Sequence, residues 1–255
     1  MDYINYIKQS PMMGQIGLGG GATSLGRYAS GTGSGPRGIW GGGQPITSVI
    51  DFVTINTTAN ATSFGSLISA KRWITGCSNG TRGLFCGGSH PSTDQIQYIT
   101  CATTGDAQDF GDLTTVRYKA GGLGNATRGL IAGDDGPLAD RSSIDYVAIA
   151  TLGNASDFGE LTVGRQDLEG CASQTRGLFC GGYMTSSGPA GTWSTNVIDY
   201  VTIASAGNAT DYGDLEQEKN DVGCVDNDTR ACIGGGGWQS NNKTNAIGYV
   251  TIANT

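Results

Sequence analysis

Residues 81–88 read TRGLFCGG, and residues 175–182 repeat the same eight letters. An identical octapeptide found twice, 94 positions apart, indicates an internal repeat. Alignment on the arginine of this segment gives five units with spacings of 45, 46, 48 and 54 residues, beginning at Arg37, Arg82, Arg128, Arg176 and Arg230. A period of this length is typical of propeller repeats.

Each unit contains four segments in a constant order. An apolar segment that ends in glycines (GLFCGG, 83–88) is followed by a variable loop and then by an alternating segment (IDYVTIA, 198–204). The third segment has an aromatic residue, a glycine and a leucine at fixed offsets (DFGDL, 109–113), and the fourth runs from a basic residue to the next TRG. Period-two alternation of Val, Ile and Tyr favours strands, so each unit predicts one antiparallel blade.

The number of segments predicts five blades. The sequence has five segments of the TRG type and five of the IDYVTIA type, but only four of the DFGDL type. We therefore expect an all-β fold, a five-bladed β-propeller over residues 25–255 with about four short antiparallel strands per blade. Residues 1–24 form an N-terminal arm outside the repeat, which either supplies a strand of the closing blade or docks on another protein. The residues of the arm suited to docking are Tyr3, Ile4, Tyr6, Ile7, Met12 and Met13.

Composition excludes several classes of protein. The net charge is -7, and clustered Lys and Arg are missing, which argues against nucleic-acid binding. The first thirteen residues show neither a signal peptide nor a membrane-spanning run, so we expect no export and no membrane insertion. Eight Asn-x-Ser/Thr triplets are interpreted as turn chemistry.

The order of arginine, Gly-Gly strand, tyrosine-containing strand and aromatic-x-x-leucine resembles the kelch repeat of β-propellers. Kelch repeats usually have tryptophan where this chain has Phe64, Phe110, Phe158 and Tyr212. The sequence of the repeated segments is more similar to the kelch-like repeats of phage proteins from aquatic hosts. That resemblance implies a virion location, other capsid or tail proteins as partners, and contact with a host glycan or receptor. It leads us to expect a non-enzymatic virion protein; a cytoplasmic kelch adaptor and a glycan-processing enzyme are the alternatives.

Few residues suit catalysis, metal binding or a cofactor, and we expect none of the three. His90 is the only histidine and lies in the loop SHPSTDQ, and no G-x-S-x-G motif accompanies it. Kelch propellers that act as copper oxidases use two histidine ligands, which this chain does not offer. No Cys-x-x-Cys motif supports zinc.

Cysteines recur at matched places in the repeat. Cys77, Cys171 and Cys224 precede their TRG segments, and Cys86 and Cys180 stand where sister units have Ala132 and Gly41. Replacement by small residues indicates packing, and we expect buried thiols. Disulfides between Cys77 and Cys86 and between Cys171 and Cys180 are the alternative.

Basic residues predict two rings. The five TRG arginines form one ring, and Arg27, Arg72, Arg117, Arg165 and Lys219 form the second. We expect them to join neighbouring blades through buried carboxylates or carbonyls, with Asp112, Glu160 and Asp214 as carboxylate partners. Binding of an anion is the alternative.

The loops after the Gly-Gly strands differ most between units. We expect them to share one face, and insertions on one face of a repeat protein usually mark its binding surface. Tyr183, Trp193, Trp238 and His90 are the candidate ligand-binding residues in these loops. Flat rings among Ser, Thr and Asn suit a sugar or a partner protein.

Overall fold

The computed structural model describes residues 37–136, 141–184, 194–227, 229–238 and 242–252. It forms an all-β propeller of five small antiparallel sheets, one per sequence unit, which confirms the predicted fold class. The N-terminal arm and the predicted fourth segment of the first blade, with Arg27, lie outside the described residues. No helix in the described ranges is long and apolar enough to cross a bilayer.

The first and second blades follow the predicted segment order. The first blade has the sheet order β1-β2-β3 and the second β4-β5-β6-β7. Their strands are β1 (Arg37–Gly41), β2 (Thr47–Thr54), β3 (Thr62–Lys71), β4 (Thr75–Ser78), β5 (Arg82–Cys86), β6 (Gln95–Thr100) and β7 (Gln108–Asp112).

The third and fourth blades repeat the four-stranded sheet of the second. The strands of the third are β8 (Gly121–Gly124), β9 (Arg128–Ala132), β10 (Ser143–Ala148) and β11 (Ser156–Glu160). Those of the fourth are β12 (Glu169–Ala172), β13 (Arg176–Cys180), β14 (Val197–Thr202) and β15 (Thr210–Asp214).

The fifth blade has three described strands, in the order β16-β17-β20. These are β16 (Gly223–Asp226), β17 (Arg230–Gly234) and β20 (Ile247–Thr251). The variable loop GWQSNNKTN contains a two-stranded hairpin, β18 (Gly237–Trp238) with β19 (Asn242–Lys243).

Four hydrophobic clusters lie between successive blades. Phe179 of the fourth blade, for example, shares a cluster with Leu123 and Leu130 of the third. Strands β4 and β8 are buried at every position, because the inner strand of a blade has protein on both faces. No single blade could bury these faces alone, so each blade depends on its neighbour.

The turns before the TRG strands use asparagine as predicted. The Oδ1 atoms of Asn79, Asn125 and Asn227 each accept hydrogen bonds from the backbone amides two and three residues ahead. This is the Asx-turn pattern, in which a side chain replaces a backbone acceptor. These Asn-x-Ser/Thr triplets therefore shape the turns between strands.

The connectivity of each blade separates the two ends of the propeller. Because neighbouring strands are antiparallel, the loop after the Gly-Gly strand and the linker to the next blade lie at the same end. The TRG turns lie at the other end. We call the first of these ends the loop face.

Candidate functional site

Four linker residues on the loop face form a continuous arc around the propeller centre. Trp73, Lys119, Asp167 and Asp221 each directly precede the inner segment of their blade and have φ between 53 and 61°. The backbone amides of Lys119, Asp167 and Asp221 donate to the carbonyl of the preceding member at 3.1, 2.9 and 3.0 Å respectively. We call these four residues the mouth ring.

The backbone conformation of the ring repeats between units, whereas its side chains differ. A non-glycine residue in the left-handed region is uncommon, yet this position carries one in four successive linkers. The backbone is therefore conserved through the repeat while the side chains are an indole, an amine and two carboxylates. Such a pattern is expected of a surface that contacts something other than the protein itself.

Aromatic and cationic groups cluster on one side of the mouth ring. The Arg72 guanidinium lies 3.8 Å from the Trp73 ring centroid, and the Lys119 ammonium lies 5.0 Å from it. The Tyr118 ring is nearly parallel to the indole, with an interplanar angle of 23° and centroids 5.9 Å apart. The Trp73 ring is half-buried, so part of this stacked surface meets solvent.

Carboxylates occupy the other side. Lys119 Nζ is 2.9 Å from Asp135 Oδ2 and 3.7 Å from Asp167 Oδ2, so one ammonium bridges two acids. Burial raises the pKa of Asp167 to about 6, although the charge of Lys119 opposes the shift. Burial also raises the pKa of Asp221. Asp134 is fully buried, and its Oδ2 has no hydrogen-bond partner among the described residues.

The loops predicted to bind a ligand border the mouth ring. Tyr183 exchanges backbone hydrogen bonds of 3.0 and 2.6 Å with Gln166, next to Asp167. His90 is exposed and lies next to Ser89, which exchanges backbone hydrogen bonds of 3.2 and 2.8 Å with Arg72. The His90 Nδ1 atom is 3.0 Å from the Ser89 hydroxyl.

The structure describes no side chain for two of the predicted aromatic residues. Trp238 lies on β18, whose Gly237 pairs with Asn220 beside the mouth ring, but its side chain is not described. Trp193 lies outside the described residues. The docking residues of the N-terminal arm also lie outside them.

The TRG arginines lie at the opposite end of the propeller. Each guanidinium carbon lies 4.4–4.7 Å from an aromatic ring centroid of its own blade. Arg37, Arg82 and Arg128 each donate to a backbone carbonyl of the next blade at 2.8–2.9 Å. These three guanidinium groups therefore bridge two blades.

The predicted second ring needs two corrections. Lys71 stands at the position of Arg117, and Arg72 is one residue later and stacks on Trp73. The predicted partners Asp112, Glu160 and Asp214 are also wrong, because Arg117 and Arg165 pair with Asp145 and Asp199, in the middle strand of the following blade. Asp145 and Asp199 lie within alternating strands and are fully buried. They were not predicted as partners because they are distant in sequence from the linkers.

The mouth ring itself was not predicted from the sequence. Its members lie two residues after Lys71, Arg117, Arg165 and Lys219. The residue directly after each of these basic residues also differs between units, so variation across the linker was the available signal. These contacts define a five-bladed β-propeller with a stacked, charged mouth on its loop face. No protein-family model matches the chain, and no curated protein matches it in sequence.

Proposed function

We propose that the chain is a non-enzymatic binding propeller with kelch-like repeats, displayed on a phage virion as a capsid decoration or as a tail or fibre component. Its loop face contacts a glycan of the host surface. The kelch-like and phage assignments rest on the resemblance of the repeated segments. The binding role rests on the mouth ring, where four equivalent backbone positions carry unrelated side chains.

The mouth combines the features of a sugar-binding surface. The half-buried indole of Trp73 packs with the Arg72 guanidinium and the Tyr118 ring, and the part of this rigid aromatic surface that meets solvent is where a sugar packs. Asp135 and Asp167 provide acceptors for hydroxyl groups. Because their orientations are held by Lys119, these acceptors are ordered before a ligand arrives, which reduces the entropy lost on binding.

Charge selects among sugars. The loops after the Gly-Gly strands carry four acidic residues, Asp94, Asp134, Asp135 and Asp140, and two basic residues, Arg141 and Lys243. An acidic glycan is repelled by such a surface. The expected ligand is therefore a neutral or amino sugar.

A glycan array with purified protein tests the binding role. Trp73→Ala should weaken binding about fivefold, since an aromatic contact contributes about 1 kcal/mol. Leu152→Ala is the matched control, because Leu152 is 58% exposed and lies at the opposite end of the third blade. Binding that survives Trp73→Ala, or an array with no hit, would contradict a glycan role for the mouth.

Mass spectrometry of purified particles tests the location. Virion display predicts the protein at a constant number of copies per particle after gradient purification. Detection only in the lysate of infected cells would instead favour the cytoplasmic adaptor.

A further inference from the structure

Three thiols from two blades meet at the boundary between the fourth and fifth blades. Cys171 lies on β12, Cys180 on β13 and Cys224 on β16, and their Sγ atoms all lie within 4.8 Å of one another. Cys171 and Cys180 are fully buried, and Cys224 is 9% exposed. None of the three is in a disulfide, so three soft donor atoms converge on one point.

Cys224 departs from the sequence of the repeat. Strand register places it at the position of Gly76, Gly122 and Gly170 in the three preceding blades. A Cβ built on Gly122 would lie 2.4 Å from the Gly76 carbonyl oxygen, and one on Gly170 would lie 2.4 Å from that of Gly122, so in those blades the inner strands leave no room for a side chain. In the fifth blade the Cys224 side chain lies in the same buried cluster as Cys171 and Cys180.

This register also corrects the sequence alignment. Cys77 and Cys171 are equivalent, but Cys224 is one residue away from their position, which Val225 occupies. The shift moves the Cys224 thiol toward the other two. The expectation of no metal site rested on the lack of a Cys-x-x-Cys motif and of a second histidine, whereas these three thiols come from three separate strands.

The second blade contains the same pair without the third thiol. Cys77 and Cys86 have the register positions of Cys171 and Cys180. The third blade, however, has Gly122 where the fifth has Cys224. The chain thus carries its own two-thiol comparison site.

We propose that Cys171, Cys180 and Cys224 bind one soft d10 metal ion, with Cu(I) as the preferred occupant, in a three-coordinate thiolate site. Three sulfurs about 2.3 Å from a central ion lie about 4 Å apart in trigonal geometry. The three Sγ atoms, within 4.8 Å of one another, therefore need to move only slightly to bind the ion. Thiolates favour soft ions such as Cu(I), and structural zinc requires a fourth ligand. Binding releases the thiol protons to solvent and involves no change of oxidation state.

One guanidinium and two carboxyl groups lie near the three thiols. The guanidinium of Arg165 donates to the Gly181 carbonyl at 2.8 Å, next to Cys180, and forms an ion pair with Asp199 at 2.8 Å. Glu169 is directly opposite Cys180 across the strand pair. Cys224, 9% exposed, is the most exposed of the three cysteines.

Competition with a Cu(I)-selective chelator tests the site in the intact, fully reduced chain. We expect one tightly held Cu(I) per chain, and one Cd(II) when cadmium is used as a probe of thiolate charge-transfer absorption. Cys224→Gly, which restores the residue of the other blades, should weaken the affinity at least about 100-fold, as loss of a direct ligand exceeds the loss of a supporting contact. Cys224→Ser is the second variant and should behave alike.

Cys86→Ala is the matched control, since it removes a buried thiol from the two-thiol site and should leave the stoichiometry and affinity of the tight site unchanged. Bound metal should also raise the thermal midpoint of the parent chain but not of Cys224→Gly. Three results would overturn the proposal: no tight Cu(I) in the parent, equal affinity in the parent and both Cys224 variants, or equal loss in Cys86→Ala. Circular dichroism of the metal-free variants separates loss of a ligand from loss of the fold.

Discussion

Arg117 and Asp145 form an ion pair with an Nη2–Oδ1 distance of 2.7 Å, and neither side chain is exposed. Arg117 lies in the linker after the second blade, and Asp145 lies on β10 of the third. The Asp145 carboxylate also accepts hydrogen bonds from the backbone amide and the hydroxyl of Thr114, at 2.8 and 2.7 Å. The fourth blade repeats the pair as Arg165 and Asp199. The linker between blades is therefore anchored by charge as well as by apolar packing.

Removal of one partner should destabilise the propeller strongly. Asp145→Ala leaves the Arg117 guanidinium buried without its counter-ion, which is expected to cost about 3–5 kcal/mol. Equilibrium unfolding in urea measures the change. Asp112→Ala, at an exposed carboxylate on β7 of the second blade, should change stability by less than about 0.5 kcal/mol. Similar losses in both variants would mean that the ion pair does not anchor the linker.

Asp167 should make stability depend on pH. Burial raises its pKa from 3.8 to about 6, so the folded chain holds this proton more tightly than the unfolded chain. The resulting stabilisation is fully present below about pH 4 and is lost as the pH rises through about 6. The stability of the parent minus that of Asp167→Asn should therefore fall by about 2–3 kcal/mol between pH 4 and pH 7.

Urea unfolding at a series of pH values provides this difference. Asp157→Asn, at an exposed carboxyl on β11, is the control for removing a carboxyl from the surface. A flat difference for Asp167→Asn would show that this carboxyl is not desolvated in the folded chain.

Gly111 should tolerate alanine less well than its equivalent Gly213. Both have φ values in the left-handed half of the map, 146 and 132°. A Cβ on Gly111 would lie 2.5 Å from the Gly153 carbonyl oxygen of the next blade, whereas no described atom lies within 4 Å of one on Gly213. Alanine at Gly213 incurs backbone strain of about 1–2 kcal/mol, and at Gly111 about 1–3 kcal/mol more from overpacking. Thermal unfolding of the two variants measures the loss of stability that each alanine causes. Equal losses in the two variants would contradict a close contact between Gly111 and the next blade.

The repeat allowed the fold to be predicted because its signals are local. Alternating Val, Ile and Tyr define strands, and Gly-Gly or Asx turns define their ends. The burial pattern of β6, β10 and β14 is identical, as expected for copies of one unit in one environment. Segment counting then predicted the number of blades.

The side-chain contacts were harder to predict because they depend on single-residue register. The spacing from cysteine to the TRG arginine is five residues for Cys77 and Cys171 but six for Cys224, and that difference moves a thiol from one strand position to the next. Lys71 and Arg72 are adjacent basic residues, and the prediction assigned Arg72 to the ring position that Lys71 occupies. The mouth ring was not predicted for another reason. Its four side chains differ between units, whereas the repeat is recognised from the residues that the units share.

The N-terminal arm should stabilise the closing blade. Ile247 and Tyr249 on β20 are 77% and 63% exposed, whereas Ile198, at the position of Ile247 in the fourth blade, is 1% exposed. β20 is also an edge in the described sheet, while β6, β10 and β14 each pair with an outer strand. A large apolar edge of this kind is unfavourable in water and favours pairing with another strand. Residues 1–24 are the part of the chain outside the repeat that can cover it.

Deletion of residues 1–24 is therefore expected to lower the thermal midpoint by several degrees, with a loss of about 1–3 kcal/mol for two exposed apolar side chains. Replacement of the same residues by a Gly/Ser segment of equal length should have the same effect, because the sequence of the arm rather than its length supplies the apolar contacts. Restoring only the hydrophobic residues of the arm, Tyr3, Ile4, Tyr6, Ile7, Met12 and Met13, in that Gly/Ser segment should recover most of the loss. A deletion variant that unfolds like the parent and yet is missing from purified particles would assign the arm to docking on another virion protein.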